Sequence, residues 1–453
     1  MTDVLFSFDT EDFTSATAAD AIYTEAELLR TEGIRGGFCI VGLLAEQLRR
    51  WGRNDIANAL QHHDILTHSY GHSLHPTLNE YTDTEDFDTA YQEMLRQETR
   101  ALTSIRETLG NVRLCGACPP GNQKSYVAMY GYADLGLPIY ADTVCDTADG
   151  EGVFFCNTYH VQYTRSLEGA LMQATEDDLY SLLDQLAKHK RVILYTHPNM
   201  ALYREFWDAL NYNKENQCAF GKWKACARRP EEETARFYNT IRRLIRMLKQ
   251  DTRFRITSYS DLVKTLSAEP KRILRKKDMP AIRDSLRKEW GPILSPIPYS
   301  LSDIFLACRD ILNGKDEHVC GKVYGFLDAP YAIDRSVLLT KEDVLHASKA
   351  MDTSRFLPTQ IVIGSQTIGP ADWLRAALDV ICDCDTVRLT PGQALPSLER
   401  LPQLKNVSFK GQWLQSDRFE DRYLSNRLRY QSWTMRALTP PACDKTTTTQ
   451  LQS

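Results

Sequence analysis

Val4-Leu5-Phe6-Ser7-Phe8 runs directly into Asp9-Thr10-Glu11-Asp12. A short apolar run that stops at acidic residues reads as a buried strand whose end meets a polar rim. The pattern occurs twice more. Residues 64–67 lead into His68-Ser69-Tyr70-Gly71-His72-Ser73-Leu74-His75-Pro76, and residues 192–195 lead into Thr196-His197-Pro198. Further strand candidates lie at 37–41, 112–115, 138–140, 153–156 and 254–257. Helical periodicity covers 18–31, 43–61, 90–109, 177–188 and 231–250. Strands alternating with helices at this spacing predict an α/β fold with a mainly parallel sheet, open or closed as a barrel. Such sheets carry their chemistry beyond the C-terminal ends of the strands, which is where all three clusters fall.

Working outward, 453 residues suggest two domains. The alternation ends near residue 268. Residues 269–298 are basic and proline-rich and read as a linker with one helical segment. Residues 299–440 read as a smaller mixed α/β domain, and the Thr- and Gln-rich tail 441–453 as disordered. Basic runs such as Lys271-Arg272 read as a solvated face of the linker. Apolar residues make up 43% and charged residues 25%, which places the chain among soluble globular proteins. A net charge of −5 argues against nucleic acid as a partner, and no run reaches the ~18 apolar residues of a membrane helix. Asp3 and a strand stand where a secretory leader would carry basic and then apolar residues, so a cytoplasmic location is expected. Twelve cysteines at irregular spacing read as reduced thiols. Cys115-Gly116-Ala117-Cys118-Pro119 has the spacing of a redox pair, although two prolines after Cys118 delay the helix that would activate a thiolate.

Each cluster has a bland reading and a chemical one. Crowded carboxylates repel, so Asp9, Glu11 and Asp12 need a cation or a hydrogen-bond network; alternatively Glu11 and Asp12 cap the next helix. Three of the chain's ten histidines, His68, His72 and His75, fall within eight residues. That spacing lets two imidazoles meet one ion. His197 alone would more often be structural, and its company gives it weight. Coincidence of three such clusters at strand ends points to an enzyme.

Together these motifs resemble the polysaccharide deacetylases, carbohydrate esterase family 4, over residues 1 to about 268. The resemblance implies a distorted (β/α) barrel and a metal-dependent amide hydrolase acting on an N-acetylated sugar or a related small C–N substrate. By position it makes Asp9 the general base, His68 and His72 metal ligands, and His197 the general acid. The family's first motif has adjacent aspartates, whereas Thr10 follows Asp9 here. Glu11 is therefore expected as the carboxylate ligand, since alternate residues of an extended chain share a side, with Asp12 as the alternative. The third motif, Ala117-Cys118-Pro119-Pro120-Gly121, keeps proline and glycine but has Ala117 in place of arginine. Lys124 is a candidate substitute cation. Asp142 and Asp146 match the family's device for orienting the acid. Pro120, Asp142 and Trp207 are expected at the substrate, with Asp208 and Asn211 beside Trp207. The cofactor implied is a divalent metal, zinc by default, though such a ligand set also accepts iron, cobalt or nickel. The missing arginine supports a rival, a non-catalytic carbohydrate- or partner-binding protein on a decayed barrel.

Overall fold

The computed structural model describes residues 1–141, 147, 149–214, 216–353, 355–396 and 414–439, so the tail 441–453 lies outside the described residues. They divide into two compact units. The first comprises 1–263 together with 326–329 and 414–432.

Its sheet contains β1 (Thr2–Thr10), β2 (Gly37–Ile40), β3 (Asp64–Thr67), β4 (Arg113–Ala117), β5 (Ile139–Ala141), β6 (Val153–Phe155), β7 (Thr158–Val161), β8 (Arg165–Ser166), β9 (Arg191–Thr196) and β10 (Phe254–Ile256). The order is β6-β7-β5-β4-β3-β2-β1-β9-β8, with β10 on β1. Every pairing is parallel except the β6–β7 hairpin. One edge of β1 is shared end to end: β10 pairs with Thr2–Val4 and β2 with Ser7–Thr10. The result is a curled half-barrel, in keeping with the mainly parallel sheet expected from the alternation and the distorted (β/α) barrel that the resemblance implies.

Burial on both faces explains the continuous apolar runs of the strands. On β1 the pleat separates two environments. Val4, Phe6 and Phe8 face the helix layer, where Phe8 stacks on Phe38 at 4.7 Å. Ser7 and Asp9 face the bowl of the sheet, where Ser7 meets Tyr163 and Tyr259. The helix Glu231–Gln250 buries Phe237, Ile241, Leu244, Ile245 and Leu248. That is one stripe at helical spacing, and three glutamates in its first turn complement the helix dipole.

Two features depart from the sequence reading. Residues 43–61 form two helices, Gly42–Arg50 and Asn54–Leu60, because Gly52 takes φ 69 and breaks the run. β7 and β8 carry no pattern of their own; β8 is the dipeptide Arg165–Ser166, recruited by pairing with β9.

The second unit comprises 264–325, 330–396 and 433–439. Helices Met279–Lys288, Leu301–Leu312, Lys341–Ala350 and Pro370–Ile381 accompany three two-stranded antiparallel ladders. Ser300 and Asp303 form a capping box that starts the second of these helices. Its core is aromatic, with Phe305 4.6 Å from Trp373 and 5.9 Å from Trp433 between ring centroids. Arg272, read as solvated, is buried and ion-paired to Asp303 at 2.7 Å, because an internal helix cap leaves that carboxylate in need of a cation. Among the described residues no helix is long and apolar enough to cross a membrane.

Candidate active site

The ends of β1 and β3 bring Glu11, His68 and His72 together. Glu11 Oε2 lies 2.8 Å from His72 Nε2 and 3.3 Å from His68 Nε2. All three side chains are buried, and their ligand atoms lie within 4.8 Å of one another. His68 follows β3 directly. Ser69 and His72 take φ 59 and 53, a left-handed geometry that folds the loop back so that His72 returns beside His68. Such conformations cost about 1–3 kcal/mol each and persist where the surroundings hold them.

The far side of each donor is fixed. His68 Nδ1–H donates to the Cys118 carbonyl at 2.5 Å, which leaves Nε2 facing Glu11. His72 Nδ1 meets Ser73 Oγ at 2.6 Å, and that hydroxyl donates to Asp208 at 3.1 Å. Glu11 Oε1 accepts the Trp207 indole N–H at 3.1 Å. Burial would raise the Glu11 carboxyl, but His72 and His197 charge and the two imidazole hydrogen bonds outweigh it and hold it well below the usual range. Two ring nitrogens and one carboxylate oxygen, each oriented by its other atoms, suit a divalent cation such as zinc. Asp12 does not join them. It accepts from Thr14 N–H and Oγ–H at 2.9 and 2.6 Å, and burial pushes it up to about 6.

Across the cleft stand Asp9 and His197, with Nε2 3.6 Å from Asp9 Oδ2. His197 is oriented by Glu168, whose Oε1 accepts both the ring Nδ1–H and the backbone N–H at 2.6 Å. Burial alone would lower this imidazole; the charges of Glu11, Glu168 and Asp9 prevail and raise it to about 10. Asp9 Oδ1 accepts the Tyr163 phenol at 2.7 Å, and the Cys118 thiol approaches the same oxygen at 3.7 Å. A neutral phenol thus occupies the role expected of an arginine. Among the described residues the hydrogen-bond and ion-pair partners of Asp9 are Tyr163, Cys118 and His197, not Lys124.

A cleft of about 420 Å³ opens over these groups, walled by Pro119, Gly121, Tyr195 and Phe206. Pro120 is buried, and its neighbours reach the cleft instead. Trp207 is fully buried behind Glu11, so it braces the carboxylate instead of meeting substrate. Asn211 is likewise internal, its amide donating to the Trp207 carbonyl at 2.8 Å. His75 pairs with Glu80 at 2.6 Å. Asp142 and Asp146 lie outside the described residues. Cys115 Sγ turns to the Arg113 carbonyl while Cys118 enters the cleft, and burial pushes both thiols up, the opposite of an activated redox pair. Glu168 and Tyr163 were missed by the sequence reading. Neither sits in a motif, and each follows a strand too short or polar to announce itself.

No protein-family model matches the chain, and no curated protein matches it. Part of it is similar to solved structures. A Mycobacterium smegmatis protein named for the polysaccharide deacetylases is 17% identical, covering 59% of this chain and 90% of that one, with a TM-score of 0.38. A family 4 carbohydrate esterase from Streptomyces lividans, solved with acetate, is 12% identical over 56% of this chain and 91% of its own, with a TM-score of 0.30. A family 4 pseudoenzyme from Bacillus anthracis is 12% identical over 58% and 65%, with a TM-score of 0.34.

Proposed function

We propose that this chain is a metal-dependent deacetylase acting on an N-acetylated sugar or a related small amide, with Asp9 as base and His197 as acid. The observation that carries the reading is the convergence of Glu11, His68 and His72 opposite an Asp9–His197 pair in one cleft. A divalent cation held by Glu11, His68 and His72, zinc by default, would polarise a carbonyl and lower the pKa of water to about 7.

The chain's own groups divide the remaining work. Asp9 takes a proton through the oxygen that Tyr163 leaves uncovered. His197 enters the cycle protonated, since its carboxylate neighbours raise it, and gives its Nε2 proton to the leaving amine. Glu168 holds the ring so that Nε2 faces the cleft. Acid and base stand close together here, and a bound substrate would separate them. Tyr195 and Phe206 offer apolar faces to a sugar ring.

The test is metal analysis of the purified chain, then acetate release from N-acetylated amino sugars and small amides with and without chelator. Chelator-sensitive release supports the proposal. Bound metal without turnover on a broad panel overturns it. That outcome favours the binding-protein reading, for which the neutral Tyr163 at Asp9 speaks, because a phenol leaves the carboxylate without the charge an arginine brings.

A further inference from the structure

The third-motif segment changes the cleft by more than the loss of an arginine. Cys118 follows Ala117, and its thiol points inward. Sγ lies 3.7 Å from Asp9 Oδ1 and 3.1 Å from the Tyr163 phenol oxygen. Asp9, His68 and Cys118 are all buried, and each offers one ligand atom within 4.8 Å of the others. This is a second group of three donors in the cleft, and it shares His68 with Glu11 and His72. The His68 Nδ1–H is committed to the Cys118 carbonyl. A neutral imidazole offers one lone pair, so the two groups must compete for this ring.

We infer that the cleft contains a second, alternative cation position formed by Asp9, His68 and Cys118, selective for a thiophilic divalent ion. A thiolate donor favours zinc, cobalt or cadmium and disfavours magnesium and calcium, which prefer oxygen. Coordination breaks the Cys118 S–H bond and forms a sulfur–metal bond. The proton leaves to solvent, and no group is oxidised or reduced. Because His68 serves both positions, one ion occupies one or the other. An ion in the second position also engages Asp9. On the hydrolase reading an ion in the second position blocks Asp9, so that fraction of the zinc-loaded chain is idle whatever the zinc concentration. The inhibition rests on that reading; the coordination does not.

Cobalt(II) separates the two positions by absorbance, without any assay of activity. Nitrogen and oxygen donors give only weak visible d–d bands, whereas a thiolate adds an intense near-ultraviolet charge-transfer band. The metal-free full-length chain titrated with cobalt should show both. Cys118→Ser should lose the near-ultraviolet band and keep the d–d bands, and Cys39→Ser should keep both. Glu11→Gln removes the competing position and should strengthen the sulfur band, with His72→Gln as the second variant should the first misfold by circular dichroism. Visible bands without a sulfur band in the unmodified chain would overturn this inference and leave the proposed function standing. A sulfur band that survives Cys118→Ser would overturn it too, since the thiolate would then be elsewhere. No cobalt uptake at all would remove both proposals.

Discussion

The two sides of the cleft are built differently. On the Glu11 side every donor is tied from behind: His68 to a backbone carbonyl, His72 through Ser73 to Asp208, Glu11 to the Trp207 indole. On the Asp9 side the contacts to the carboxylate are a phenol at 2.7 Å, an imidazole at 3.6 Å and a thiol at 3.7 Å. The first side is set up before any ligand arrives, which is what a cation site needs. The second sets an imidazole raised by its carboxylate neighbours beside a carboxylate, the pair that the proposed function uses as acid and base. Rigidity and adjustability are divided between two faces of one cleft, and variants on each face should therefore fail in different ways.

The largest effect is expected on the tied side. Glu11→Gln removes the anionic ligand and leaves two imidazoles. The ion should leave the Glu11 position, so that whatever metal remains is bound through sulfur, and acetate release should drop about 10³-fold, the several kcal/mol that a cation contributes to charge stabilisation. Cobalt bound in that variant without a sulfur band would break the comparison. On the other side, His197→Gln should keep its metal and lose about 10²-fold or more in kcat, the range of a general acid. Loss of metal in that variant would mean the faces are not separate. Asp208→Asn and Trp207→Phe loosen the tied side without removing a ligand. Each should weaken metal affinity about 10–100-fold, with kcat recovering at saturating metal; metal titration followed by kinetics decides it.

Much of this was legible in the sequence, and unevenly. The parallel sheet showed through because strands buried on both faces are continuous apolar runs. The alternation of an extended chain also favoured Glu11 over Asp12, and in the fold Glu11 meets His68 and His72 while Asp12 turns back on Thr14. The loop His68–His72 was visible as a cluster because both imidazoles come from one turn. The supporting groups were not. Tyr163 is one of 21 tyrosines, and its position opposite Asp9 depends on β7 and β8, which no periodicity marks. Glu168 sits in a short loop after β8 and reaches His197 only because β8 pairs with β9. Trp207 looked like a cleft residue from its nearness to His197 along the chain. Its indole instead packs edge-on against Phe13, which draws it into the core behind Glu11. Contacts made across the sheet leave no trace in spacing along the chain.

Tyr163→Phe probes the adjustable side more gently. It removes the hydrogen bond to Asp9 Oδ1 and leaves the ring stacked on Tyr195, 4.6 Å away between centroids. A hydrogen bond to a charged group contributes about 1.5–3 kcal/mol, so kcat/KM should fall about tenfold or more. An unchanged kcat/KM would assign the base elsewhere.

The last effect concerns stability and shows only as a change of slope with pH. In the metal-free chain the His197 imidazole is raised from 6.5 to about 10, with burial opposing and Glu11, Glu168 and Asp9 prevailing. A group whose folded pKa exceeds its unfolded one contributes stability that is complete below the unfolded value and is lost as pH climbs through the folded value. Melting temperature should thus decline from about pH 7 to pH 10 more steeply in the unmodified chain than in His197→Gln, the difference between the two isolating this residue from others that titrate there. A cation on Glu11 cancels the foremost of the raising charges, so metal loading should lower the His197 pKa and shift that excess decline to lower pH. Identical curves for the two metal-free proteins would show that His197 carries no extra charge in the folded state, and the adjustable side would then lack its resident proton donor.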